Sequence, residues 1–257
     1  MRRKVKLLSI LIAGAMLLSG CGAVQRETKP SGDNPASSQQ PEASDAIVSD
    51  IFDAHAKAEE ITLELTLNEK LELMVSGYED ITKMVRFFPG EDYLEKATVE
   101  GELPVRHDSL MSLRDTISEL YPELPSGGKD RIMMNYTCYP KISAELEPAF
   151  MSYTIVTSIL REELGFNGVI YTPSLCDSQL RSRYIVDADA HLAVDAVKAG
   201  CDVVYQPHNR KVVIEALRSE VFDGGIDEDR INASSVRIIE YKLLTGVDED
   251  KIVNVIK

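Results

Sequence analysis

The sequence predicts an α/β fold with parallel strand pairing, and three observations predict it. Four short apolar runs, at residues 84–88, 132–136, 168–172 and 201–206, are rich in Val, Ile, Tyr, Phe and Met. Most are bounded by Gly or Pro, the pattern of buried strands. Longer stretches between them repeat apolar residues at helical spacing. Strands that alternate with helices call for parallel pairing through βα units.

The helices follow in chain order. Pro148 suits a first helical turn, and Phe150, Tyr153, Val156, Ile159 and Leu160 then recur at helical spacing. Gly165 closes that segment. A second helix spans residues 188–199, with Leu192, Val194 and Val197 apolar and Gly200 as its cap. Residues 210–220 and 229–244 predict two more, the latter carrying Ile231, Val236, Ile239 and Leu243. Ser126-Gly127-Gly128-Lys129 resembles a fragment of a phosphate loop but lacks its spacing.

The first residues read as an address. Arg2, Arg3, Lys4 and Lys6 precede an apolar run over residues 7–18, and Leu18-Ser19-Gly20-Cys21 ends it. This is the layout of a secretory signal. The closing cysteine resembles a bacterial lipobox, which makes Cys21 the expected lipidation site and the chain an exported, membrane-anchored protein facing the envelope or exterior. The run is shorter than the roughly 18–20 apolar residues of a spanning helix. Residues 21–46 hold Pro30, Pro35 and Pro41 among Ser, Gln and Gly, and read as the lipidated N-terminus and a flexible tether. The folded part is then expected over residues 47–257.

The chain carries 28 basic and 42 acidic residues, a net charge of −14. Removal of residues 1–20 takes away four basic and no acidic residues and moves it to −18. Phosphate backbones are repelled by such a balance, so nucleic acid is excluded as a partner. Cys138, Cys176 and Cys201 show no CxxC spacing, so no metal site is expected, nor any cofactor. One disulfide is open to an exported chain, but three buried thiols suit their apolar surroundings better.

The residues from Ile132 to Leu244 resemble the second half of the barrel of family 3 glycoside hydrolases, in its bacterial β-N-acetylglucosaminidase branch. The carrying residues are Met133-Met134-Asn135-Tyr136-Thr137-Cys138-Tyr139-Pro140, Pro148-Ala149, and the run from Leu160 through Arg161, Leu164-Gly165-Phe166 and Gly168-Val169-Ile170 to Thr172. Ala199-Gly200-Cys201-Asp202 and Ser235-Val236-Arg237 continue in family order. Phe88-Pro89-Gly90 and Leu103-Pro104-Val105 extend the likeness upstream, and Leu65-Thr66-Leu67-Asn68-Glu69-Lys70-Leu71 resembles the opening of the family barrel. The resemblance implies a TIM barrel with its site at the C-terminal strand ends. It also implies retaining hydrolysis of N-acetylglucosamine-containing glycans.

The sequence departs from that pattern at the expected catalytic positions. The family nucleophile is an Asp directly after the Ile-x-Thr strand; here Pro173 follows Thr172, with Ser174 next. The family Lys-His pair that grips the sugar appears as Arg86-Phe87, which become the expected substrate-binding residues. Counting back from Leu103-Pro104 places the acid/base dyad at Thr98 and Glu100, and Glu100 is the candidate acid. Tyr136 replaces the His after the Met-x-x strand.

Asp177, Asp187 and Asp189 lie near the same end as a potential carboxylate group, with a helix cap and a solvated face as the plainer role. Glu91 and Asp92 are candidates for a ligand contact or a turn, and His191 and His208 for ordinary polar positions. Only residues 76–85 separate the opening segment from Arg86, and 211 residues run from Ile47 to the end. A full barrel takes about 250. The expectation is therefore a partial barrel of roughly the last four βα units, and a pseudoenzyme or weak enzyme. Its open sheet edges would be covered by residues 106–130 or by a second copy in a homodimer.

Overall fold

The structure, a computed structural model, describes residues 43–76, 86–90, 103–121, 130–143, 147–183 and 188–256. Its first helix, α1 (Ala43–Glu64), starts before position 47, where the folded part is expected. Ala58, Ile61 and Leu65 recur along one face, where they pack on Ile239 and Ile252. Helix α2 (Leu67–Met74) begins with a capping box. The Thr66 hydroxyl accepts from the Glu69 N–H at 3.3 Å, and the Glu69 carboxylate accepts from the Thr66 N–H at 2.7 Å. Two otherwise unpaired amides are satisfied reciprocally. Thr66→Ala is expected to lower stability by about 1 kcal/mol, read as a lower urea midpoint with an unchanged slope.

Among the described residues five parallel strands follow: β1 (Val75–Ser76), β2 (Arg86–Phe88), β3 (Arg131–Met134), β4 (Val169–Tyr171) and β5 (Val204–Tyr205). Strand β3 lies between β2 and β4, with Phe87 opposite Met133 and Met133 opposite Tyr171. Strand β1 pairs with β5, with Val75 opposite Val204. A single parallel bridge, Tyr171 to Val203, joins β4 to β5. The neighbour order is thus β2-β3-β4-β5-β1, and every strand runs the same way. The sequence places four of these strands correctly but extends β3, β4 and β5 too far, while residues 84–85 of the first run lie outside the described residues. Asn135, Tyr136, Thr172 and Gln206 are apolar-run ends that leave the ladder for the loops at the C-terminal edge.

Between the strands lie α3 (Leu110–Leu120), a π-helix (Thr154–Glu163), α4 (Ser178–Arg183) and α5 (Ala188–Ala199), and after β5 come α6 (Arg210–Phe222), α7 (Glu228–Leu244) and α8 (Glu249–Ile256). Helix α3 sends Leu113 and Ile117 into the core, and Arg114 pairs with Glu163 of the π-helix at 2.8 Å. It is therefore the β2–β3 crossover packed beside the next crossover. Tyr121, just past its end, reaches β2, donating its phenol O–H to the Phe87 carbonyl.

The helix predicted from Pro148 is in two parts. A 3₁₀ turn covers Ala149–Met151, and the π-helix starts only at Thr154. Tyr153, expected on the apolar stripe, sits at the break and is 57% exposed. Beyond the π-helix, Gly165 adopts φ +68°, the left-handed closure that glycine tolerates. Cys138 and Cys201 are buried free thiols, but Cys176 is exposed in the turn after β4, which corrects the expectation of three buried thiols. The Cys201 thiol is held above its ordinary pKa, by burial first and by the adjacent Asp202 charge second.

Candidate functional site

The C-terminal ends of β2, β3, β4 and β5 place side chains of the sequence-predicted site in one region. Phe88 ends β2, Pro89-Gly90 follows it, and all three are buried. Asn135, just after β3, donates its backbone N–H to the Phe88 carbonyl at 2.9 Å and its side-chain amide to the Gly90 carbonyl at 3.4 Å. These bonds lock the two strand ends together. Thr172 and Pro173 are buried after β4. The Thr172 hydroxyl accepts from the Tyr205 N–H at 2.9 Å and donates to the Pro173 carbonyl at 2.8 Å. Thr172 therefore ties the site end of β4 to β5.

Ser174 donates its hydroxyl to the Gln206 side chain at 2.8 Å. Gln206 itself has φ +45°, an uncommon conformation for a residue with a Cβ. Tyr136, half-buried, donates its phenol to the Gln179 carboxamide at 3.4 Å. Its pKa is raised, first by burial and then by the Asp177 charge, so it stays a protonated donor. The Asp177 carboxylate caps α4, accepting from the Gln179 N–H at 2.9 Å and the Leu180 N–H at 3.2 Å. Hydroxyl, phenol and carboxamide groups dominate, which suits hydrogen bonding to polyhydroxylated ligands better than nucleophilic attack.

Other predicted residues divide by place. Phe87 is half-buried in β2. Arg86 opens β2 opposite Ile132, and its side chain lies outside the described residues. Glu100, Thr98, Glu91, Asp92, Asp187, Cys21 and residues 126–129 also lie outside them. Asp189 does not lie on a solvated face. It is buried and pairs with Arg181 at 2.6 Å. It also accepts from the backbone N–H groups of His208 at 3.3 Å and Asn209 at 2.6 Å, pinning the loop after β5. His191 is exposed and sits 3.5 Å from Asp195. Among the described residues no group of His, Cys, Asp and Glu has the arrangement of a metal site.

The opposite, N-terminal end of the strands holds a charge cluster that the sequence reading saw only as motif residues. Asp202, fully buried before β5, accepts from the Ile170 N–H at 2.9 Å, the Ser234 hydroxyl at 2.7 Å and Arg237 at 3.1 Å. Arg161 pairs with its other oxygen, and Arg230 lies 3.5 Å away. Burial opposes the Asp202 charge, but the attraction of Arg161, Arg237 and Arg230 prevails and holds its pKa below the ordinary carboxylate value. A charged residue next to the apolar run Val203-Val204-Tyr205 was the available signal. In parallel α/β barrels this end carries stability rather than chemistry.

Against known proteins, the family model for the glycosyl hydrolase family 3 N terminal domain matches residues 38–241. A β-hexosaminidase of Stenotrophomonas maltophilia is 38% identical over 136 residues, covering 52% of this chain and 38% of the relative. One from Methylobacillus flagellatus is 30% identical over 139 residues, covering 53% and 38%. Among solved structures, a family 3 β-N-acetylglucosaminidase from Paenibacillus superposes with TM-score 0.52 at 26% identity, over 64% of this chain and 31% of that one. The chain spans about two fifths of the length of the curated relatives it matches.

Proposed function

The chain belongs to glycosyl hydrolase family 3, and from that premise we propose a β-N-acetylhexosaminidase-like envelope lipoprotein that hydrolyses glycan weakly or not at all. The ligand is an N-acetylglucosamine-containing glycan of cell-wall type, met at the C-terminal ends of β2 to β5. The observation that carries the reading is the pair after β4. Pro173 is buried where the family resemblance calls for the nucleophilic Asp, and the Ser174 hydroxyl is committed to Gln206. A side chain without a carboxylate can neither form nor stabilise the glycosyl intermediate. Tyr136, Gln179 and half-buried Phe87 keep a polar and aromatic rim that supports recognition without turnover.

The parallel order β2-β3-β4-β5-β1 supports a partial barrel in which the first strand lies beside the last. Cys21, after its apolar leader, supports the lipid anchor. Among the described residues no helix is long and apolar enough to cross a membrane.

The test is turnover of a chromogenic N-acetyl-β-glucosaminide by the full-length chain in mild detergent, beside its Glu100→Gln variant. Activity about 10⁴-fold or more below a relative that carries the Asp is expected, with calorimetric heat on titration with muropeptides. Substantial turnover that Glu100→Gln abolishes would replace this reading with a repurposed acid. Silence in both assays would end the glycan reading.

A further inference from the structure

A cavity of about 250 Å³ opens at the N-terminal end of the strands, on the far side of the sheet from the proposed glycan site. Arg161, Arg230 and Arg237 line it, with Asn167 and Glu162 at its rim. We propose that this cavity binds a tetrahedral oxyanion, either inorganic phosphate or the phosphate group of a small monoester.

Charge and valence carry the argument. Three guanidiniums share one buried carboxylate, so the cluster holds two uncompensated positive charges, or one if exposed Glu162 is counted. Asp202 is saturated: one oxygen takes Ser234 and Arg237, the other takes Ile170 and Arg161. It has no capacity left to neutralise the surplus. Arg161 and Arg230 are fastened elsewhere as well. Arg161 donates to the Phe166 carbonyl at 2.8 Å, and Arg230 to the Cys201 carbonyl at 2.7 Å. Both are thereby fixed in place without losing charge.

Among the described residues Arg237 makes one hydrogen bond, through Nη1, which leaves donors of its planar fork for a ligand. Forked guanidinium donors match phosphate oxygens in pairs. The crowding also shows in Arg161, whose pKa falls to about 10, by burial first and then by repulsion from Arg237 and Arg230. An anion relieves that repulsion where Asp202 cannot. The cluster is a concentrated positive site in a chain of net charge −14, so a small anion is drawn to it while a polyanion is repelled by the remaining surface.

The experiment is thermal unfolding of the full-length chain in mild detergent, with inorganic phosphate titrated at constant ionic strength against chloride. A saturable rise in midpoint is expected with phosphate and not with chloride. Asn167 is exposed and outside the Asp202 network, so Asn167→Asp places a carboxylate at the cavity without disturbing the core. That variant is expected to unfold in chloride at or above the wild-type midpoint, because its carboxylate relieves part of the guanidinium repulsion, and to bind phosphate about tenfold more weakly or worse. Arg237→Gln, if it folds, is expected to lose the phosphate response as well. A parallel arm with methyl phosphate separates the two sources: a matching rise assigns a monoester, and a rise with inorganic phosphate alone assigns the free ion. Equal midpoints in phosphate and chloride, or an unchanged phosphate response in Asn167→Asp, would overturn the proposal. None of these readouts involves glycan, so they stand apart from the hexosaminidase-like reading.

Discussion

Asp202→Ala is expected to destabilise the protein by about 3–5 kcal/mol, measured as a fall in the urea midpoint. The carboxylate is fully buried, and three guanidiniums, one hydroxyl and one backbone amide are arranged around it. Alanine removes the carboxylate that Arg161, Arg230 and Arg237 share and leaves the three guanidiniums facing one another. The loss joins distant elements, because Arg161 ends the π-helix while Arg230 and Arg237 belong to α7.

The same geometry sets a pH dependence. The folded pKa of Asp202 lies below the unfolded carboxylate value of about 3.9. Its contribution to stability is therefore fully present above that pH, and is lost as the pH falls further through the folded pKa. Acid titration of the unfolding midpoint is expected to show this loss in the wild type. The Asp202→Ala chain lacks that component.

Gly168→Ala is expected to destabilise by about 3 kcal/mol or more, or to prevent soluble expression. A Cβ at this position would stand 2.1 Å from the Asp130 carbonyl oxygen and 2.7 Å from Cζ of the Phe166 ring. The first contact is with backbone, which cannot swing aside. That carbonyl also accepts the Val169 N–H at 3.0 Å, so a methyl group there pushes apart the starts of β3 and β4. Overpacking a well-filled site costs typically 1–3 kcal/mol, and a clash with a ladder carbonyl falls at or above the upper end. Circular dichroism melts of the variant against the wild type check it.

Much of this fold was legible in the chain. The helix over Ala188–Ala199 begins and ends where its apolar spacing and Gly200 predict, and α6 and α7 match within two residues. Periodicity is a local property, so it survives in the sequence. Helix α1 was not read as an element because its buried stripe, Ala58, Ile61 and Leu65, is narrow over 22 residues and needs Ile239 and Ile252 to make sense of it. The break at Ser152 was also hidden. The Ser152 side chain bonds Ser143 at 2.8 Å, a partner nine residues away, and no local pattern announces such a pair.

The candidate site divides in the same manner. That Pro173 follows Thr172, where the family resemblance calls for an Asp, is readable from residue order alone, and the proposed weak or absent hydrolysis rests on it. That Ser174 is bound to Gln206, and that Asp189 is buried as a loop clamp, rests on contacts between segments 19 to 32 residues apart. Asp202 shows the division most clearly. The sequence by itself determined the alternation of strands and helices, the family likeness and the proline after Thr172, since each lies in residues adjacent along the chain. Only the tertiary structure decided that Arg161, Arg230 and Arg237 gather as three guanidiniums around the single carboxylate of Asp202. Electrostatic energy depends on distance through space, and the folded sheet, not the order of residues, sets those distances.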